Sequence, residues 1–349
     1  MLEFLYSLIS MHIPSPIEIK KELPLKEHSF IAETRVQAAR ILQREDPRLA
    51  LLVGPCSIHD PDMALEYAKK LRKLSSEVEH LFLVMRLFLE KPRTRVGWKG
   101  ILYDPHLDGS NDIAAGLKIS RQLLLDIAAL QVPAATELLE PLVVPYIEDL
   151  LTWGLVGART SASQPHRQLT SGLPFPVGFK NDIHGEIDVA VCGVISSRMG
   201  HSYLSIDPDG RIAAVKTAGN PLTHLVLRGS DTKPNCDAAS IAASLGALRN
   251  NHLPPTLVVD CSHGNSGKDL QKQKGAFESI IQQVAEGNHA IAGLMLESHL
   301  FEGKQPLTTR SALHYGVSIT DPCLGWEETE SLIRWADEVL SMSMSSVQK

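Results

Sequence analysis

Eight short apolar runs, each leading into a polar or charged residue, recur from Leu51 onward. They are LLVGPC (51–56), LFLVMR (81–86), PAATE (133–137), LVGAR (155–159), FPVGFK (175–180), HLVLR (224–228), TLVVDCSH (256–263) and IAGLMLE (291–297). A strand wetted on one face alternates apolar with polar residues, whereas a strand covered on both faces reads as a near-continuous apolar run. Between most of the runs lie longer stretches with apolar residues at helical spacing, such as PDMALEYAKKLRKLSSE, GLKISRQLLLDIAALQ and KGAFESIIQQVAEG. Alternation of this kind builds an α/β fold with an all-parallel sheet, and eight units predict a closed (β/α)8 TIM barrel rather than an open doubly wound sheet. No GxGxxG follows the first run, as a dinucleotide-binding fold would require.

The chain has 349 residues and 44% hydrophobic content, enough for one barrel with additions. Residues 1–49 predict an N-terminal extension, with SPIEIKKELP extended or turn-like and SFIAETRVQAARILQRE helical. Residues 50–349 predict the barrel itself. HSYLSIDPDGRIAAV reads as two strands around a Pro-Asp-Gly turn, an inserted β-hairpin at about 201–216 between barrel strands 5 and 6. The opening MLEFLYSLIS is apolar but short and lacks a basic flank, which argues against a signal peptide, and Met11 is an alternative start. Five scattered cysteines without a CxxC pair suit reduced thiols and a cytoplasmic setting. No apolar stretch is long enough to span a bilayer. With 34 Lys+Arg against 40 Asp+Glu, net charge −6, the chain lacks the broad basic face that nucleic-acid binding needs. Neither a nucleic acid nor a membrane is expected as a partner.

Barrel chemistry sits at the carboxyl ends of the strands. The runs end in Cys56, Arg86, Glu137, Arg159, Lys180, Arg228, His263 and Glu297. Any one of these alone could simply mark a strand's exit into solvent; eight in succession point to a shared site. LEKPRTRVGWKG (89–100) then concentrates Lys91, Arg93, Arg95 and Lys99 in an otherwise acidic chain, with a proline and two glycines that keep it out of a helix. Arg86, Arg159, Lys180 and Arg228 with Lys91, Arg93 and Lys99 would repel one another around one rim unless an anion sat among them. Arginine clamps phosphate or carboxylate bidentately and lysine acts as a point charge, so two phosphorylated ligands are expected. Cys56, His263 and Glu297, with Asp321 in SITDPCLGW, supply sulfur, nitrogen and oxygen donors. That mixture suits one divalent ion such as Mn, Fe, Co or Zn, and does not suit Mg.

Together GPCSIHD, KPRTRVGWKG, GARTSASQPHR, PVGFKN, VDCSHGNSGK, LMLESHL and SITDPCLGWE closely resemble type I 3-deoxy-D-arabino-heptulosonate 7-phosphate (DAHP) synthases, and they stand in family order over nearly the whole chain. The resemblance implies a metal-dependent condensation of phosphoenolpyruvate with D-erythrose 4-phosphate that releases inorganic phosphate, the entry to the shikimate pathway. By matching motif, Cys56, His263, Glu297 and Asp321 would hold the metal. Arg86, Lys91, Arg159, Lys180 and Arg228 would hold phosphoenolpyruvate, and Arg93 and Thr94 would receive the aldose phosphate. Lys99 joins the substrate-binding set from the basic loop. Lys91, His263 and Glu137 are the candidates for catalysis. Lys91 is expected to transfer a proton because neighbouring cations lower an ammonium pKa, and Glu137 to orient a water. Cys323 is a candidate disulfide partner for Cys56.

Departures from the family pattern are also visible. Arg95 stands where a second Thr is common, KNDIHG replaces a more usual loop, and Pro174 stands where feedback-regulated relatives often carry Ser. The hairpin around Tyr203 and Ser205 differs as well. An aromatic amino acid effector is therefore left open, while relatives lead to the expectation of a homodimer or homotetramer. KPRT, in place of an Asn-containing loop, argues against the related octulosonate 8-phosphate synthases.

Overall fold

In the computed structural model, which describes residues 11–347, eight parallel strands close into a barrel. They begin with β1 (Leu49–Gly54), β2 (Leu81–Arg86), β3 (Ala134–Glu137), β4 (Trp153–Val156) and β5 (Val177–Lys180). A two-stranded antiparallel hairpin, β6 (Ser202–Ile206) and β7 (Ile212–Lys216), interrupts the series. The barrel resumes with β8 (Thr223–Leu227), β9 (Leu257–Asp260) and β10 (Ile291–Glu297), and β10 pairs with β1 to close the ring. Every residue of the eight barrel strands is buried, which accounts for their unbroken apolar runs. The closing seam runs from Ala50 beside Gly293 to Gly54 beside Glu297. A Cβ at Gly293 would stand 2.7 Å from the Ala50 carbonyl oxygen, so only glycine lets the two strands approach there.

Inside the ring, Ala50, Leu52, Phe82, Val84, Trp153, Leu155, Val226, Val258 and Met295 form the interior core. Ala38, Ile41 and Leu42 belong to the same cluster. They lie on the apolar stripe of helix α2 (Ser29–Leu42), which therefore packs against the interior core. The stretch expected to be extended, SPIEIKKELP, instead contains a helix, α1 (Pro16–Glu22). Its first turn is pinned locally: Glu18 Oε2 accepts from the Ser15 amide at 2.7 Å and from the Ser15 hydroxyl at 2.9 Å, and Pro16 occupies the first helical turn.

The remaining long helices, α3 (Pro61–Ser75), α4 (Ile113–Ala129), α7 (Asp188–Ser197), α8 (Ala238–Asn250), α10 (Leu270–Ala285) and α11 (Trp326–Val347), alternate with the strands. Short helices α5 (Val144–Ile147), α6 (Gln164–Thr170) and α9 (His263–Ser266) fill the other connections. Arg121 of α4 ties the extension down: Nε donates to Leu23 O at 2.8 Å, Nη1 to Tyr146 O at 2.8 Å, and both terminal nitrogens to Asp149 at 2.8 Å. The α1 backbone also reaches the hairpin, Ile17 N donating to Pro208 O at 2.9 Å. Among the described residues no helix is long and apolar enough to cross a membrane. The apolar stretch 1–10, with its signal-peptide reading, lies outside the described residues.

Candidate active site

All eight barrel strands run the same way, so their last residues meet at one rim. Arg86, Glu137, Lys180 and Glu297 are terminal strand residues, as expected. Cys56, Arg159 and Arg228 lie one to three residues past their strands, in loops, and His263 lies three residues past β9. His263 opens helix α9 with φ 52, a left-handed backbone that a non-glycine residue rarely adopts.

Three of the four expected metal donors meet directly. Cys56, Glu297 and Asp321 offer one ligand atom each, all within 4.8 Å of one another. Cys56 Sγ lies 3.7 Å from Asp321 Oδ2. His263 adjoins the group through Nε2, 3.6 Å from Glu297 Oε1. A buried thiol, two carboxylates and an imidazole nitrogen gathered in this way fit a divalent transition ion. Burial and the Glu297 charge push the Cys56 thiol up to about 11, with Lys91 opposing. Burial would raise the Asp321 carboxyl too, but Lys91 and Lys268 outweigh it and hold it well below the usual range.

Lys91 corrects the sequence reading. Its Nζ donates to Cys56 Sγ at 2.7 Å and stands 3.6 Å from Asp321 Oδ2. Burial would lower the ammonium, yet Cys56, Glu297 and Asp321 outweigh it, so the Lys91 pKa is raised rather than lowered. The charges that set the Lys91 ammonium are these three groups and not the cations next to it in sequence. The rim cations also have protein counter-ions: Arg86 pairs with Glu297 at 3.1 Å, Lys180 with Asp260 at 2.9 Å, and Lys268 with Asp321 at 2.7 Å. Arg86 is fully buried, its guanidinium 4.1 Å from the Phe88 ring centroid, and its Nε and Nη1 remain buried without a hydrogen-bond partner. Arg86 does not itself line the cavity that opens above Phe88, but Phe88, on which it stacks, does, and two such donors behind that ring suit an anionic ligand.

Above Phe88 opens a cavity of about 310 Å³ lined by Lys91, Arg93, Thr94, Glu137, Arg159, Lys180, Arg228, His263 and Asp321. Arg159 Nε donates to Thr94 Oγ1 at 3.0 Å, joining the basic loop to the fourth strand's exit. That loop is no loose turn at its base: Lys91 N donates to Lys99 O at 2.8 Å and Trp98 Nε1 to Asp104 O at 3.0 Å. Beneath it Glu90 is buried, which pushes its carboxyl up to about 8. Lys99 does not line the cavity; it is exposed, with Nζ 5.9 Å from the Tyr103 ring centroid.

Two residues of this site escaped the sequence reading. Lys268, in HGNSGK, lines the cavity and grips Asp321. Asp260 ends β9 with no solvent exposure and holds Lys180. The available signal for Asp260 was its place inside TLVVDCSH, since a carboxylate ending a buried strand needs a charged partner.

Residues 22–334 match the DAHP synthetase I family. The chain belongs to that family. It is 45% identical over 331 residues to the Tyr-sensitive phospho-2-dehydro-3-deoxyheptonate aldolase of Salmonella typhimurium, covering 94% of this chain and 93% of that one. It is 46% identical over 312 residues to the Trp-sensitive enzyme of Enterobacter agglomerans, 89% of each chain being covered. The structure of phospho-2-dehydro-3-deoxyheptonate aldolase from Francisella tularensis superposes with a TM-score of 0.94 at 37% identity, covering 96% of this chain and 99% of that one. Membership accords with the (β/α)8 barrel and its extra hairpin.

Proposed function

We propose that the chain is a DAHP synthase, condensing phosphoenolpyruvate with D-erythrose 4-phosphate and water to give 3-deoxy-D-arabino-heptulosonate 7-phosphate and inorganic phosphate. The observation that carries this reading is the meeting of Cys56, Glu297 and Asp321, with His263 beside them, at the wall of a cavity rimmed by Lys and Arg. The residues before β1 form an extension, and those from Leu49 onward the catalytic barrel of a cytoplasmic enzyme. Cys56, His263, Glu297 and Asp321 hold one divalent ion (Mn, Fe, Co or Zn), which when bound supplies a Lewis acid for the aldehyde oxygen.

The other side chains bind and orient. Arg86, Lys91, Arg159, Lys180 and Arg228 bind the phosphate and carboxylate of phosphoenolpyruvate, Arg86 with the two guanidinium nitrogens that have no protein partner. Arg93 and Thr94, exposed on the outer wall, receive the aldose phosphate. Lys91, whose Nζ stands 2.7 Å from Cys56 Sγ and 3.6 Å from Asp321 Oδ2, is the proton donor placed beside the metal donors, toward the aldose oxygen that gains electron density. Glu137 holds the water that adds to the second carbon before phosphate leaves.

Leu173, Pro174, Tyr203 and Val215 line a separate cavity of about 560 Å³ beside the hairpin. Relatives are named for Tyr or Trp sensitivity, and an aromatic amino acid effector is assigned to this cavity. Leu204 and Ile212, 78% and 83% exposed on the hairpin, supply an apolar face for a homodimer or homotetramer.

Metal-loaded protein offered phosphoenolpyruvate with erythrose 4-phosphate should release phosphate, and with arabinose 5-phosphate should not; activity with the pentose alone would refute the assignment. Arg93→Ala should raise KM for erythrose 4-phosphate about tenfold while KM for phosphoenolpyruvate changes little, the loss expected for one charged hydrogen bond. Equal effects on both would remove Arg93 from that role.

A further inference from the structure

Asp260 occupies a position that neither of its neighbours explains alone. It is the last residue of β9 and has no solvent exposure. One carboxylate oxygen, Oδ2, lies 2.9 Å from Lys180 Nζ and 2.9 Å from His263 Nδ1. The other, Oδ1, accepts from the Ser262 amide at 3.0 Å, which fixes the carboxylate relative to the turn that launches α9. Burying an ion this deeply is costly unless it is paired and hydrogen-bonded, so its retention in an otherwise apolar strand calls for a purpose.

Lys180 is nearly as deep and lines the cation-rich cavity. His263 presents Nε2 toward Glu297, while its Nδ1 is buried without an aligned hydrogen bond, the Asp260 oxygen being at hydrogen-bond distance but off the line of the ring N–H. Such contacts in ligand-free sites tighten when the site is filled. A histidine that ligates a metal through one nitrogen almost always donates the other N–H to a carboxylate or carbonyl, and that partner sets tautomer and ring orientation.

Resting on the DAHP synthase reading, we propose that Asp260 is a positioning residue that joins the metal half of the site to the anion half. It accepts the Nδ1–H of His263, leaving Nε2 for the metal, and with the same oxygen fixes the Lys180 ammonium against phosphoenolpyruvate. The two half-sites thus share one carboxylate, and neither is assembled correctly without it. Asparagine cannot replace it: its single oxygen can serve both donors only as a weaker neutral acceptor, and its amide N–H₂ would then face the Ser262 amide N–H.

Three measurements test this. The first titrates metal-free protein with Co²⁺, following the charge-transfer absorption of the Cys56 thiolate. The second titrates metal-free protein with phosphoenolpyruvate by calorimetry. Asp260→Asn should weaken Co²⁺ binding about 10- to 100-fold and phosphoenolpyruvate binding about tenfold, the loss of one charged contact. A loss confined to one ligand, or neither affinity changing by more than twofold, would overturn the bridge. Failure of the unaltered protein to develop the absorption band would instead overturn the metal reading on which the bridge rests. The third measurement needs no altered Asp260 and so survives a folding defect: ¹⁵N-histidine spectra of the Zn²⁺-loaded protein. These should show a slowly exchanging, downfield Nδ1–H on His263, assigned by its disappearance in His263→Gln. An Nε2–H tautomer, or a fast-exchanging Nδ1–H, would overturn the assignment.

Discussion

A methyl group added at Gly157 would stand 2.3 Å from Glu137 Oε1 and 2.9 Å from Glu137 Cδ. The Gly157 backbone is not in the left-handed region, so the added Cβ acts on the carboxylate and not on the main chain. Gly157→Ala should therefore be mainly a displacement of Glu137. An ångström-scale misplacement of a positioning group costs about 100-fold in rate, while overpacking of this size costs about 1–3 kcal/mol of stability. A kcat lowered 10- to 100-fold in a folded protein is the expected result of steady-state assays on Gly157→Ala; an unchanged kcat would take Glu137 out of the water-holding role. The same scale shows why side-chain identity was easier to read than side-chain environment. Cys56, Glu297 and Asp321 were legible as donors from residue type and motif, and they do meet. Lys91 was legible as a site residue but its ionisation was not. KPRTRVGWK surrounds it with cations in sequence, whereas the fold delivers Cys56, Glu297 and Asp321 to its ammonium from both ends of the chain.

The eight barrel strands could be read at the level of elements because burial on both faces imposes one unmistakable pattern, and the hairpin because Pro-Asp-Gly separates two alternating runs. Strand ends were less legible. LVGAR and TLVVDCSH stay apolar or small after the ladder has ended at Val156 and Asp260, so Arg159 belongs to a loop and His263 to the start of α9. Helix α1 was missed because its Ser15–Glu18 cap outweighs a segment with a proline at either end. What holds α1 and its following turn to the barrel is Arg121, which is 1% exposed and serves Leu23, Tyr146 and Asp149 at once. Arg121→Met keeps the volume and removes all of these bonds, leaving Asp149 with Lys20 at 3.6 Å. Breaking a buried ion pair from one side costs about 3 kcal/mol, or about 4 °C in thermal midpoint for a chain of this size. The pH dependence has a definite sign. Burial would raise the Asp149 carboxyl, but Arg121 outweighs it and lowers the folded-state pKa. The pair's contribution is thus present above the unfolded carboxylate value of about 3.9 and is lost as pH falls below it. Thermal melts of both proteins should differ by the full amount at pH 7 and converge in acid; equal midpoints at pH 7 would show that the extension is held by other contacts.

Across the whole molecule, the donors Cys56, His263, Glu297 and Asp321 come from just after β1, from the turn beyond β9, from the end of β10 and from the loop before α11. The ring closes between β1 and β10, so an ion held by Cys56 and Glu297 spans the seam where the two ends of the barrel meet. An unfolded chain separates Cys56 from the other three donors by more than 200 residues and offers no equivalent site. Metal uptake at these donors should therefore be coupled to folding of the entire barrel, not to order in one loop. At a free concentration 100 times Kd the coupling is worth about 2.7 kcal/mol. Unfolding entropy of about 2 cal/mol/K per residue converts that into a rise of about 4 °C. Thermal melts of chelator-treated protein, repeated with Mn²⁺ or Co²⁺, should show this increment, and Mg²⁺ should give little because thiolate and imidazole donors match it poorly. Cys56→Ala should melt within about 2 °C of the chelated parent, since trading a small buried thiol for a methyl opens little space, and should lose both the metal increment and turnover. A metal-induced rise that survives Cys56→Ala undiminished would place the stabilising ion elsewhere in the molecule. Should the rise vanish in that variant, the seam and the catalytic centre would prove to be held by the same ion, and chelation would weaken the fold and stop the chemistry together.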